Sequence, residues 1–126
     1  MSSQILLSGG DKWYSYSGVL FGDVSVPASI SMVLVPNTGL RDSVIQIQPF
    51  FGKPVSSSGG AQLGISVHLD DVEVLNNQPH SAQNQNNGNE NFTLFVPRQS
   101  KLEVISLNIS GNNTQTRGCN IIGYYI

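Results

Sequence analysis

The stretch Ala61–Asp71, AQLGISVHLDD, decides how the whole chain is read. Leu63, Ile65, Val67 and Leu69 fall on one face of an extended chain, and Gly64, Ser66 and His68 fall on the other. Alternation of period two over that length marks a strand with one face in a core and the other outside it. A helix would need apolar residues three and four apart, and no such stripe exceeds two turns in this chain. The same reading extends outward. VIQIQPFF sets Ile45 and Ile47 against Gln46 and Gln48. SISMVLVP is more continuously apolar and predicts a central strand buried on both faces. NFTLFVP and KLEVISLNIS supply two more strands. In the second, Leu102 and Val104 share a face, and Ile105, Leu107 and Ile109 continue in the opposite phase. That change of phase predicts a bulge or a strand that passes between sheets.

Predicted strands cover 4–7, 12–21, 29–36, 43–51, 61–70, 72–76, 91–97, 101–110 and 118–126. Turn signals separate them: Pro36, Asn37 and Gly39; Ser56–Gly60; and Gly111 with Asn112–Asn113. Many short strands with turns between them give an all-β antiparallel sandwich, jelly-roll-like, with an immunoglobulin-like sandwich as the alternative. The expectation is one domain over 1–126. The run QPHSAQNQNNGNENF, Gln78–Phe92, interrupts the pattern with amides. It has almost nothing apolar to bury, so 79–91 is expected to be an exposed loop at one end of the sandwich.

Composition narrows the function classes. Apolar residues make up 39% of the chain, and charged residues only 11%, against roughly 25% in an average domain. The net charge is −2, and Lys12, Arg41, Lys53, Arg98, Lys101 and Arg117 are scattered, which argues against direct nucleic-acid binding. Cys119 is alone, so the chain cannot be a disulfide-stapled scaffold, and in an apolar strand it reads as a small buried hydrophobe. The start MSSQILLSGG has no basic segment, and its apolar run is too short for a signal peptide or a membrane span. The expectation is synthesis in a reducing cytoplasm without export. Three N-glycosylation acceptor patterns, at Asn91, Asn108 and Asn112, therefore read as chance matches.

Few residues are candidates for chemistry. His68 and His80 are the only histidines, and no nucleophile-elbow context surrounds either one. Asp70, Asp71 and Glu73 read as a strand end and a tight turn ahead of a calcium site. No catalytic, cofactor-binding or metal-binding set is assigned, and no cofactor is expected. Trp13, Tyr14 and Tyr16 form an aromatic group in which Trp13 is out of phase with the tyrosines. Either Trp13 or the tyrosine pair is then in the core and the other faces outward. Trp13, Tyr14, Tyr16 and His68 are the candidate interface or ligand contacts.

The MSSQ start, the low charge, the amide loop and the apolar strand GCNIIGYYI resemble small all-β phage virion proteins, most of all capsid decoration (cement) proteins. The resemblance covers the whole chain and brings no specific motif, so it assigns no residue a role. It implies a non-enzymatic virion protein, a homotrimer seated on the major capsid protein and reinforcing the shell, without membrane contact. Phage-tail sandwiches share the same style. A carbohydrate-binding sandwich module or tail-associated receptor-binding protein, using Trp13, Tyr14 and Tyr16, is the alternative.

Overall fold

The structure is a computed structural model that describes residues 5–9, 11–18, 20–22, 29–51, 62–77, 91–110 and 115–126. The predicted loop 79–91, apart from Asn91, lies outside them, as do the Ser56–Gly60 link and the turn at 111–114. The described residues contain ten strands: β1 (Ile5–Gly9), β2 (Lys12–Tyr16), β3 (Leu20–Gly22), β4 (Ser29–Val35), β5 (Ser43–Phe51), β6 (Gln62–Leu69), β7 (Val72–Asn77), β8 (Phe92–Val96), β9 (Leu102–Ser110) and β10 (Gln115–Tyr125).

Their pairing is that of a jelly roll. One sheet runs β1-β2-β10-β5-β8, with β3 also on β10, and the other runs β4-β9-β6-β7. Every pair is antiparallel. Taken from the middle of the chain outward, β6 pairs with β7, β5 with β8, β4 with β9, and β2 and β3 with β10. The chain is thus one long hairpin ribbon rolled into two facing sheets. Its apex is the turn at Asp70 and Asp71, whose φ values of 50° and 68° are both positive. Leu69 faces Val72 across this two-residue loop, a geometry that fits the right-handed twist of the flanking strands. The acids form the tight turn expected of them.

The core lies between the sheets. Trp13, Ile45, Ile47, Cys119 and Ile121 enter it from the first sheet, and Val33, Val35, Ile65, Val67, Leu102 and Val104 from the second. The alternation predicted for 43–51 is therefore the alternation observed, with Gln46 and Gln48 on the outer side, whereas in 61–71 Ile65 and Val67 face the core as expected but Gly64 and Ser66 are buried as well, Ser66 beneath Glu73 on the neighbouring β7.

Three local expectations change. The predicted strand 12–21 is two strands, because Gly18 takes a left-handed φ of 72°. Ser17 repairs the break: its Oγ accepts the Cys119 N–H at 2.8 Å, and its own N–H donates to the Cys119 carbonyl at 3.0 Å. Next, β4 lies at the edge of its sheet and is not a central strand. Its continuous apolar run comes from a bulge between Ser31 and Val33, which turns both Met32 and Val33 into the core. Finally, β9 keeps one phase through Val104: Leu102, Val104 and Ser106 point inward, and Ile105 and Leu107 are half-buried outside. Its irregularity lies further along, opposite Gln62 and Leu63. A serine occupies the inward position at 106 because it meets a buried arginine, described below.

The end of the sandwich that carries the apex turn is tied together by backbone. Thr38 N–H donates to Ser100 O, Gln99 N–H to Gly39 O, and Asp70 N–H to Lys101 O. Asp42 Oδ1 accepts the Arg98 N–H at 2.9 Å, and Asp70 Oδ1 accepts the Lys101 N–H at 2.9 Å. The backbone hydrogen bond to Arg98, helped by its guanidinium, holds the Asp42 carboxyl below its ordinary range. Lys101 also pairs with Asp71, and this hydrogen bond raises the ammonium pKa. The opposite end carries the C-terminal ends of β3, β5, β7 and β9 and the N-terminal ends of β4, β6, β8 and β10.

Candidate functional site

The register of the first sheet builds an outer surface from four strands. Tyr124 stands between Lys12 on β2 and Val44 on β5, and Val44 faces Phe95 on β8. The next row is Tyr14, Ile122, Gln46 and Thr93, and the one after it is Tyr16, Asn120 and Gln48. Side chains on one face of neighbouring strands lie about 5 Å apart, so each row is continuous. Phe95 is 53% exposed, and Tyr16 and Tyr124 are also exposed. Tyr14 and Tyr16 stack at 6.4 Å between ring centroids, inclined by 17°. Lys12 Nζ lies 5.6 Å from the Tyr124 ring centroid. It is the one charged side chain among the described residues of these rows.

Trp13 is not on this surface. It is 1% exposed and packs in the core over Gly123, its partner across the β2–β10 pair. The two phases left open by the sequence are resolved in favour of outward tyrosines. Sequence reading missed Val44, Phe95, Ile122 and Tyr124, which complete the surface. Each is visible as the outward member of an alternating strand, but only the order β2-β10-β5-β8 sets them side by side.

His68 lies on the outer face of the other sheet, half-buried, between Glu103 on β9 and Glu73 on β7. Its Nε2 is 3.8 Å from Glu73 Oε2 and 3.4 Å from Ser66 Oγ. Ser66 Oγ donates to that same Glu73 oxygen, as does Asn76 Nδ2 at 3.0 Å. The Ser66 hydrogen bond is the main reason the Glu73 carboxyl sits below its ordinary range. A serine–histidine–acid relay needs the hydroxyl proton to pass to the imidazole. Here the hydroxyl and the imidazole converge on one carboxylate oxygen, so the cluster braces β6 against β7. No group of three metal-ligating side chains occurs among the described residues.

Sequence reading also missed Arg117. It points into the core from β10, is fully buried, and donates from Nη1 to Ser106 Oγ at 3.0 Å. Its Nε and Nη2 have no partner. Burial lowers its pKa. The same effect pushes the Cys119 thiol up to about 12.

No family model matches the chain, and no curated protein matches it. Solved structures do. The chain is similar to a structure of the infectious bursal disease virus Gx strain, at 12% identity and a TM-score of 0.54, over 90% of this chain and 32% of that one. A second similar structure is the infectious bursal disease virus VP2 subviral particle, at 16% identity and a TM-score of 0.47, over 99% of this chain and 33% of that one. The chain thus spans about a third of the length of these infectious bursal disease virus chains. The likeness agrees with the strand order in making this an all-β sandwich.

Proposed function

We propose that this chain is a non-enzymatic structural protein of a virion, a decoration or cement protein that docks on a phage shell as a homotrimer and reinforces it. The observation that carries the reading is the outer surface of the first sheet. A wide, nearly uncharged face of Tyr14, Tyr16, Val44, Phe95, Ile122 and Tyr124 is costly to leave in water. It is cheap to bury against a protein, since only Lys12 must be desolvated. Gln46, Gln48 and Asn120 lie among the apolar groups and can pair across a contact. Symmetric self-association is the common use of such a face. The infectious bursal disease virus structure supports the reading, because a domain of this fold is used there in a virus. The major capsid protein is the expected second partner. No helix among the described residues is long and apolar enough to cross a membrane.

The experiment is direct. The mass of the protein in solution is measured, and the protein is then added to particles that lack it. Stoichiometric retention and a raised heat resistance of the particles support the proposal. A strict monomer that is not retained overturns it. Glycan binding is the second reading, favoured by the stacked Tyr14–Tyr16 pair, of which Tyr16 is exposed. Specific retention on a glycan array, lost in Tyr14→Ala, would put it first.

A further inference from the structure

Arg117 poses a problem that the proposed shell role does not touch. Its guanidinium is fully buried between the sheets, yet no charge answers it among the described residues. Six acidic side chains belong to those residues, and each is engaged elsewhere. Asp11 pairs with Arg41, Asp42 with Arg98, and Asp71 with Lys101. Asp70 accepts the Lys101 N–H, Glu73 accepts from Ser66 and Asn76, and Glu103 accepts from Ser31. All six serve the outer faces or the apex end. A buried guanidinium without a counter-charge is one of the most expensive groups a core can hold.

The pattern of satisfied and unsatisfied nitrogens carries the argument further. Nη1 is held by Ser106 Oγ, which fixes the plane of the group. The two nitrogens without partners are Nε and Nη2. Their N–H bonds run parallel along one edge of the guanidinium, the edge that receives the two oxygens of a carboxylate side-on. A methyl-sized hydrophobe would leave both donors unmet, and a lone water could accept from both but would leave the buried charge uncompensated. A planar two-oxygen anion meets both.

We propose that the Nε/Nη2 edge of Arg117 is a carboxylate-binding site inside the sandwich, with Ser106 as the residue that orients it. The site lies at the end of the sandwich away from the apex turn, since Arg117 pairs with Phe51 at the end of β5 and with Leu20 on β3. A carboxylate there neutralises the buried charge and ties β10 and β9 together through one guanidinium. This inference stands apart from the shell reading, because a free protein in buffer would show it.

The test titrates sodium acetate at constant ionic strength, with chloride as the balancing anion, and follows thermal unfolding. Acetate that binds only the folded state gives a saturable rise, about 5–10 °C at a hundred times its dissociation constant. Arg117→Met is expected to abolish the acetate dependence, and Ser106→Ala to weaken it at least tenfold. If Arg117→Met does not fold, the ¹⁵N–¹H resonance of Arg117 Nε in the unaltered protein serves instead and is expected to shift along a saturating curve. An unmoved resonance, or an acetate effect equal in Arg117→Met, overturns the site. Asp23 and Glu90 are the two acids outside the described residues. If Asp23→Asn or Glu90→Gln is needed before acetate acts, the chain itself fills the edge and the proposal also falls.

Discussion

Gly123→Ala is the sharpest probe of how the inner face of the first sheet packs. Gly123 faces Trp13 across the β2–β10 pair, and the indole ring lies over the glycine. A Cβ at 123 would overlap Trp13 Cε2 and Nε1 and stand 2.7 Å from Cδ1. Carbon contacts are comfortable at about 3.5–4.0 Å, so the ring must retreat by roughly 1 Å. It has little room to do so, because Trp13 is enclosed by the core and is itself its largest member. Forcing one methyl into a packed core costs about 1–3 kcal/mol, and losing an indole altogether costs about 3–5 kcal/mol. A rigid ring held on all sides belongs near the join of the two ranges, at about 3 kcal/mol. With a urea slope of about 2 kcal/mol/M, the midpoint falls by about 1.5 M. Trp13 is the only tryptophan, so its fluorescence reports both unfolding and any displacement in the folded state. Trp13→Leu empties the space the methyl needs. The double variant is therefore expected to be more stable than the sum of the single effects by at least about 1 kcal/mol. A midpoint shift below about 0.3 M with unchanged emission, or strict additivity in the cycle, would show that the indole does not press on Gly123.

Four further outcomes follow from the geometry. Ser17→Ala leaves the buried Cys119 N–H without an acceptor and is expected to cost about 1–3 kcal/mol, with faster hydrogen exchange at that amide. The Cys119 thiol, pushed up to about 12, is thiolate in only roughly one molecule in 10⁴ at pH 8, so a thiol reagent should act at least about a thousandfold faster on unfolded protein than on native protein. Asp42 has a folded pKa below its ordinary 3.8, so its contribution is present above that value and is lost as pH falls through the lowered one; Asp42→Asn should flatten this part of the acid-unfolding curve. Lys101 has the opposite sense: its raised pKa stabilises the fold below its ordinary 10.5, and that support fades as pH rises beyond it, a fade that Asp71→Asn should remove.

Much of the fold was legible because burial in a sheet writes period two directly into the sequence. Ile45, Ile47, Ile65 and Val67 are readable as core residues for that reason alone. What was not legible is what register and topology decide. The near-continuous SISMVLV looks like a doubly buried strand, yet Met32 sits in a bulge on an edge strand; a bulge adds one residue and leaves no mark in composition. Trp13 and the tyrosines were separable only into opposite faces. The choice between those faces rests on Gly123, the one residue type that leaves the indole its space, and that pairing joins distant parts of the chain. Arg117 was readable in principle. It is in phase with Cys119 and Ile121 on an apolar face, but beside Gly118 it looks like the exit of a turn. The outer surface of Tyr14, Phe95 and Tyr124 draws on three strands far apart in sequence, so no window along the chain contains it.

The place of β10 governs how this chain comes together in time. Of the ten strands it is made last, yet it lies in the middle of its sheet, between β2 and β5. Until β10 arrives, β1–β2 and β5–β8 are two separate ribbons with open edges, while β4, β9, β6 and β7 already have all their partners. The second sheet can therefore form before β10 has been made, and the first cannot. Closing it joins residues as far apart as Lys12 and Tyr124, a search that makes such β topologies slow to fold. During that interval the aromatic rows lack their central strand, and the unpaired edges of β2 and β5 are exposed to neighbouring nascent chains. Damage to β10 is then expected to appear as aggregation during expression before it appears as lower stability of the purified protein.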